Sequence, residues 1–220
     1  MAGLTSSTIG RKYAMALSAM FLLIFLIMHL SVNLLSVFSV DAFNKASDFM
    51  GYNPLIQFVM QPILMFAVIF HFVLGIVLEM KNKKARPVKY AVSGASANST
   101  WVSRNMAISG LVILAFLAMH LYDYWAHEMS YKYIQHLEPN PDRFWEELHE
   151  SFANPVRVVF YCVSFVLLGL HLAHGFQSSF QSIGARHPKY TPCIKSFGKW
   201  YSILIPAGFV IVALYHFFTH

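Results

Sequence analysis

The sequence predicts an all-α fold: an integral membrane bundle of five transmembrane helices in which helices 1–2 recur as helices 3–4. Three observations predict it. The 220 residues are 57% hydrophobic and 12% charged, with a mean hydropathy of +0.52, too apolar for a water-soluble domain of this size. Five runs reach the roughly 20 apolar residues that cross about 30 Å of hydrocarbon: Tyr13 to Phe38, Leu55 to Leu78, Asn105 to Trp125, Val156 to Phe176 and Trp200 to Phe218. The first run, MALSAMFLLIFLIMHL from Met15 to Leu30, is largely rewritten as MAISGLVILAFLAMHL from Met106 to Leu121. Residues 1–220 read as a single transmembrane domain.

Helix one follows Arg11 and Lys12, as a signal peptide would, but its apolar run is too long and no small-residue cleavage site follows, so it is expected to span. The connection DAFNKASDFMGYNP is rich in turn and cap residues and reads as a short external link. Helix two starts near Pro54, carries Pro62 in an early turn where proline disrupts least, and stops at Glu79 before a lysine run. The link from Met80 to Ser103 holds the small polar tract SGASANST and reads as an irregular, solvated loop. Helix three ends in LYDYW, an aromatic belt for a membrane boundary. Beyond it, PDRFWEELHESF sets Phe144, Trp145, Leu148 and Phe152 near one face, the pattern of a helix lying on the outer surface. Helix four carries His171, His174 and Gly175, and helix five has Pro206 and Gly208 inside it. His216, near the outer end of helix five, is expected to serve the interface; His127, His136, His149, His187 and His220 read as solvated.

Charge sets an orientation. Arg11 and Lys12 precede helix one, and Lys81, Lys83, Lys84, Arg86, Lys89 and Arg104 follow helix two against one acid, Glu79. Arg186, Lys189, Lys195 and Lys199 precede helix five, whereas the other connections are acidic, with seven acids from Asp123 to Glu150 against Lys132, Arg143 and Arg157. Basic loops stay in the cytoplasm, so the N-terminus is placed there. The net charge of +6 is thus orientation signal and implies no nucleic acid partner. Cys162 and Cys193 offer no disulfide framework, no Cys-x-x-Cys-His attachment and no thiolate cluster, so any cofactor has to be held by histidine.

Histidine deep in an apolar span is costly unless bound, and marks a functional site by default. His29 and His120 occupy matching places in the repeat, together with Met15/Met106, Ala16/Ala107, Ser18/Ser109, Phe25/Phe116, Leu26/Leu117, Met28/Met119 and Leu30/Leu121. A second, sparser match shifted by 100 positions aligns His71 with His171 and Gly75 with Gly175. Together they make a parallel duplication. At about 1.5 Å per residue, His29 and His120 lie roughly 21 to 24 Å from the cytoplasmic side and His71 about 12 Å, with His171 at similar depth. Two levels result, an outer pair, His29 with His120, and an inner pair, His71 with His171. One histidine from each of two facing helices is the arrangement that clamps a porphyrin, so the residues point to two b haems. Gly75 and Gly175, four residues after their histidines, would leave room for the rings. His174 shares a face with His171; depth and the repeat select His171, leaving His174 beside the cofactor or at a propionate. Arg104, inside, and Arg157, outside, are candidate propionate partners.

In FLIMHLSVN around His29, AFNKASDFM from Ala42 to Met50, His71 with Gly75, AMHL at His120 and HLAHGFQSSF from His171, the chain resembles the membrane-anchor cytochrome b of complex II, the succinate dehydrogenase/fumarate reductase, in its single-polypeptide, five-helix, two-haem class. The resemblance covers essentially the whole chain. It implies pairing of the first with the third and the second with the fourth histidine, His171 being the fourth. It also implies an FAD flavoprotein and an iron–sulfur protein docked on the cytoplasmic face, a quinone, most often menaquinone, and residence in the bacterial inner membrane. The chain would be an electron-transfer subunit with no dicarboxylate site and no catalytic residue of its own. One departure is Gly169, two residues before His171, where some fumarate reductases carry glutamate; with no acid mid-membrane, a carboxylate proton path through the helices is not expected. Asn33, Asn44, Asp48, Asn53 and Gln57 cluster at the outer end, and Asp48 and Gln57 are the candidate quinone residues. Two rival readings are a dihaem cytochrome b of a hydrogenase, formate dehydrogenase or nitrate reductase, and a haem-free membrane anchor or transporter.

Overall fold

The computed structural model describes residues 7–85 and 105–220, and every described element is helical. In chain order these are α1 (Thr8–Phe38), α2 (Val40–Tyr52), α3 (Ile56–Lys84), α4 (Met106–Ile134), α5 (Arg143–Ser151), α6 (Pro155–Ser182) and α7 (Thr191–Phe218). All but α2 and α5 are long and apolar enough to cross a membrane. Their outward faces are greasy, with Ile24 62% and Phe66 68% exposed, as expected where lipid and not water is the solvent.

Helix ends follow the cap chemistry. Ser7 Oγ accepts from Gly10 N at 2.8 Å to start α1, and Ser39 both ends α1 and caps α2, accepting from Ala42 N at 3.2 Å. Asn53 Oδ1 accepts from Leu55 N ahead of α3, and Asn154 Oδ1 from Val156 N with Pro155 in the first position of α6. The connection read as a short external link is instead largely α2: Ser39 and Asn53 cap it, Asn44 and Asp48 lie inside it, and Phe43 and Asn44 are buried. α3 runs on through the lysines to Lys84, and α4 passes Trp125 to reach Ile134 by π-helical turns at Leu121–Ala126 and Ser130–Ile134. Both overshoot the apolar run, because a helix need not stop where hydrocarbon does. Most of the polar tract read as a loop, and Arg104 with it, lies outside the described residues.

α1 packs on α3 and α6, and α4 packs on α6 and α3, so these four close a ring in which α1 faces α4 and α3 faces α6 across the diagonals. α7 lies against α6 most extensively and against α1. Glycine makes that approach possible: a Cβ on Gly198 would fall 2.5 Å from Phe176 Cδ1, and one on Gly208 2.8 Å from Leu30 Cδ2. At Gly169 the Cβ would meet the Ser202 carbonyl at 3.0 Å, so a glutamate there would drive α7 off α6.

One end of the bundle is capped by α2, α5 and the extension of α4. Asn44 ties α2 to α5, donating from Nδ2 to the Asp142 carbonyl at 2.9 Å and accepting from Trp145 N at 2.8 Å. Arg143, 7% exposed, bonds Glu128 and Glu147, and Lys132 Nζ reaches Glu128 at 2.6 Å and the Gly51 carbonyl at 2.6 Å. His216, near the end of α7, is wholly buried in the bundle, and His149, expected to be solvated, is half-buried and stacks on Trp145 with ring centres 4.5 Å apart. Ser36 Oγ donates its proton to the Asn33 carbonyl at 2.6 Å, so His216 Nε2 donates to Ser36 at 2.9 Å and His216 Nδ1 accepts from His149 Nδ1 at 3.2 Å. The opposite end carries Arg11, Lys12, Lys81, Lys83, Lys84 and Lys195.

Candidate functional site

The ring of four helices brings the predicted histidines together two by two. His29 of α1 and His120 of α4 have ring centres 5.8 Å apart, planes at 83°, nearer the capped end. His71 of α3 and His171 of α6 are 6.5 Å apart, planes at 70°, nearer the basic end. Each pair spans a diagonal, because the repeated turn of α1 and α4 points its histidine inward and so does the corresponding turn of α3 and α6. His174, one turn on, belongs to neither ring pair.

Four residues that the repeat matched, but to which no role was assigned, turn out to hold these rings. Ser18 Oγ donates its only proton to the Met15 carbonyl at 2.9 Å; at its 3.1 Å contact with His71 Nδ1 it therefore accepts, and the ring proton sits on Nδ1. Ser109 does the same one repeat later, donating to the Met106 carbonyl at 3.0 Å and accepting from His171 Nδ1 at 3.2 Å. Both imidazoles are thereby left with an unprotonated Nε2, the tautomer a metal requires. Phe25 stacks on His29 at 5.2 Å and Phe116 on His120 at 5.6 Å, in each case the residue one turn earlier. The signal was available in the sequence as the matches Ser18/Ser109 and Phe25/Phe116; what it lacked was the partner helix.

The pair nearer the cap is fixed differently. His29 Nδ1 has only the Asn33 amide at 3.5 Å, and that amide already donates to the His29 carbonyl at 2.8 Å. His120 Nδ1 is buried with no hydrogen-bond partner among the described residues. Tyr124 and Tyr161 flank His120, at 5.1 and 6.2 Å between ring centres, and Phe209 of α7 stands 5.6 Å from His29. Beyond them Asp123 accepts from Tyr161 at 3.0 Å and pairs with Arg157 at 3.4 Å. Asp123 is a helix residue three places after His120, within the span expected, and Arg157, read as a propionate partner, is bound to it.

Haem fits both pairs on two counts. Two imidazoles bound to one metal ion at about 2.0 Å each have ring centres roughly 6.3 Å apart, close to the 6.5 and 5.8 Å observed. Among the described residues, a Cβ on Gly175 would meet nothing within 4 Å, and one on Gly75 only Met15 Cε at 3.4 Å, so packing within the described bundle does not explain these glycines. Gly198 and Gly208, by contrast, are accounted for by helix contact.

The quinone candidates lie on adjoining elements, α2 and the start of α3. Gln57 Nε2 donates to the Tyr133 hydroxyl, joining the π-helical start of α3 to the end of α4, while Asp48 is half-buried on α2. Compared with protein-family models, curated proteins and solved structures, the chain matches none.

Proposed function

We propose that the chain is a dihaem cytochrome b, the membrane-anchor subunit of a succinate:quinone oxidoreductase. The observation that carries the reading is the pair of cross-bundle histidine couples at metal-bridging separation, with Ser18 and Ser109 presenting Nε2 of the inner couple. A b haem in each place would supply one-electron carriage between the two levels of the membrane. His29 and His120 would hold the outer group, His71 and His171 the inner. Held by two imidazoles each, such groups would serve electron transfer and not oxygen binding. Phe25 and Phe116 hold the outer imidazoles by stacking on them. Gly75 and Gly175 would leave the inner cofactor its room, and Arg104, outside the described residues, is the candidate for the inner propionate.

The resemblance supplies the rest of the proposal: the basic end faces the cytoplasm and docks an FAD flavoprotein and an iron–sulfur subunit, and quinone, most often menaquinone in that class, meets the chain at the capped end near Asp48 and Gln57. The chain itself holds no dicarboxylate site.

The test is a reduced-minus-oxidised optical spectrum with iron counted per polypeptide. Two b-type haems are expected; a properly assembled chain without iron would overturn the reading. His29→Ala or His120→Ala should leave the inner haem alone in place, and His71→Ala or His171→Ala the outer. If His171→Ala keeps both haems and His174→Ala does not, the fourth ligand is His174. Co-purifying flavin with succinate oxidation supports the complex II assignment; molybdenum or nickel in the partner refutes it.

A further inference from the structure

Outside the ring, α6 and α7 leave a groove of about 650 Å³ along their lipid-facing side, and its lining is apolar save at one end. Val166, Ala173, Ile203, Ala207 and Ile211 form its walls, and Lys199 closes its basic end. Gly169 packed on the Ser202 carbonyl and Pro206 makes the floor shallow enough to admit a slender chain. From Lys199 to Ile211 the groove runs about 18 Å at the helical rise, close to the roughly 15 Å of hydrocarbon in one leaflet.

The charge at its mouth is unanswered. Lys195 stands one turn from Lys199 on the same helix face; both are exposed, and among the described residues neither forms an ion pair. Two cations at a membrane boundary above an apolar slot of one-leaflet depth call for an anion joined to a hydrocarbon chain. We infer that the α6–α7 groove is a binding site for an anionic phospholipid, its phosphate on Lys195 and Lys199 and one acyl chain along the groove. Nothing in this depends on the histidine pairs. A lysine near the membrane surface favours anionic lipid about fivefold, so the pair should give roughly 25-fold, and the groove adds retention that a diffuse basic surface lacks.

The full chain in detergent is incubated with mixed micelles of phosphatidylglycerol and phosphatidylcholine at equal mole fraction, and co-eluting lipid of each class is counted by mass spectrometry. Phosphatidylglycerol should be enriched in the wild type and lose most of that enrichment in the Lys195→Gln/Lys199→Gln double variant. Ala207→Phe, at an exposed groove position, should lower retention of both lipids. The proposal falls if the double variant keeps the enrichment, or if Lys81→Gln/Lys84→Gln, at exposed lysines away from the groove, removes it equally. It also falls if Ala207→Phe leaves retained phospholipid unchanged while displacing a co-purified isoprenoid quinone.

Discussion

A single hydroxyl decides which nitrogen of an imidazole is free. Ser18 and Ser109 each give their proton to a carbonyl one turn back and so take one from a histidine on the neighbouring helix. Loss of such a partner typically weakens metal affinity 10–100-fold, that is by about that factor. On the proposed dihaem reading, Ser18→Ala or Ser109→Ala should therefore raise the rate of haem loss from the inner site by roughly one to two orders of magnitude while leaving the outer site's spectrum unchanged. Ser→Thr at either position, which keeps the hydroxyl, should restore retention. An effect of the alanine variants on the outer site in place of the inner would mean the serines serve only helix packing. Both serines were visible as repeated letters, but a polar residue in an apolar helix has no legible partner until the next helix is placed beside it.

Among the elements, the two short helices show how local signals mislead. Asn44, Asp48, Gly51 and Asn53 share a stretch whose composition favours turns, yet it forms α2, because its amide at Asn44 is matched by the α5 backbone 98 and 101 residues away. α5 was legible from its one-sided apolar pattern, and Leu148 and Phe152 are indeed buried. What joins α5 to the end of α4 is Arg143: burial alone would weaken its charge, but Glu128 and Glu147 more than offset that and hold it protonated. Arg143→Ala removes the cation that Glu128 and Glu147 share, leaving Glu128 to Lys132 and Glu147 to His127, at a cost of about 1.5–3 kcal/mol for the lost charged hydrogen bonds. Hydrogen exchange should then rise across 40–52 and 143–151 and stay unchanged in the five spans. Equal exchange in cap and spans would mean the cap is not held by this network.

Across the whole molecule, the cap is also where pH should be felt. His149 lies below the ordinary histidine value because it is partly buried against its neighbours and next to His220. The unfolded chain thus takes up this proton first, near the usual value of about 6.5. Stability from this group is full above that pH, and falls as pH drops through it toward the lower folded value. The thermal midpoint should decline between about pH 7.5 and 5.5, and decline less in His149→Gln. An identical slope in the two proteins would remove His149 from the account.

Span number, helical class and the four inward histidines were legible from the sequence, because hydrocarbon thickness sets how many apolar residues a helix needs and a polar ring in such a run stands out against its cost. Even Phe25 and Phe116 were marked by repetition. The tertiary structure alone decided which nitrogen each inner histidine presents, that Gly169 answers to α7 and Gly208 to Leu30 of α1 while Gly175 meets no atom of the described residues, and that His216 is buried beneath a cap. Periodicity is a property of one helix at a time, whereas each of these outcomes belongs to two or three helices meeting, and their meeting is settled by packing between residues far apart in the chain.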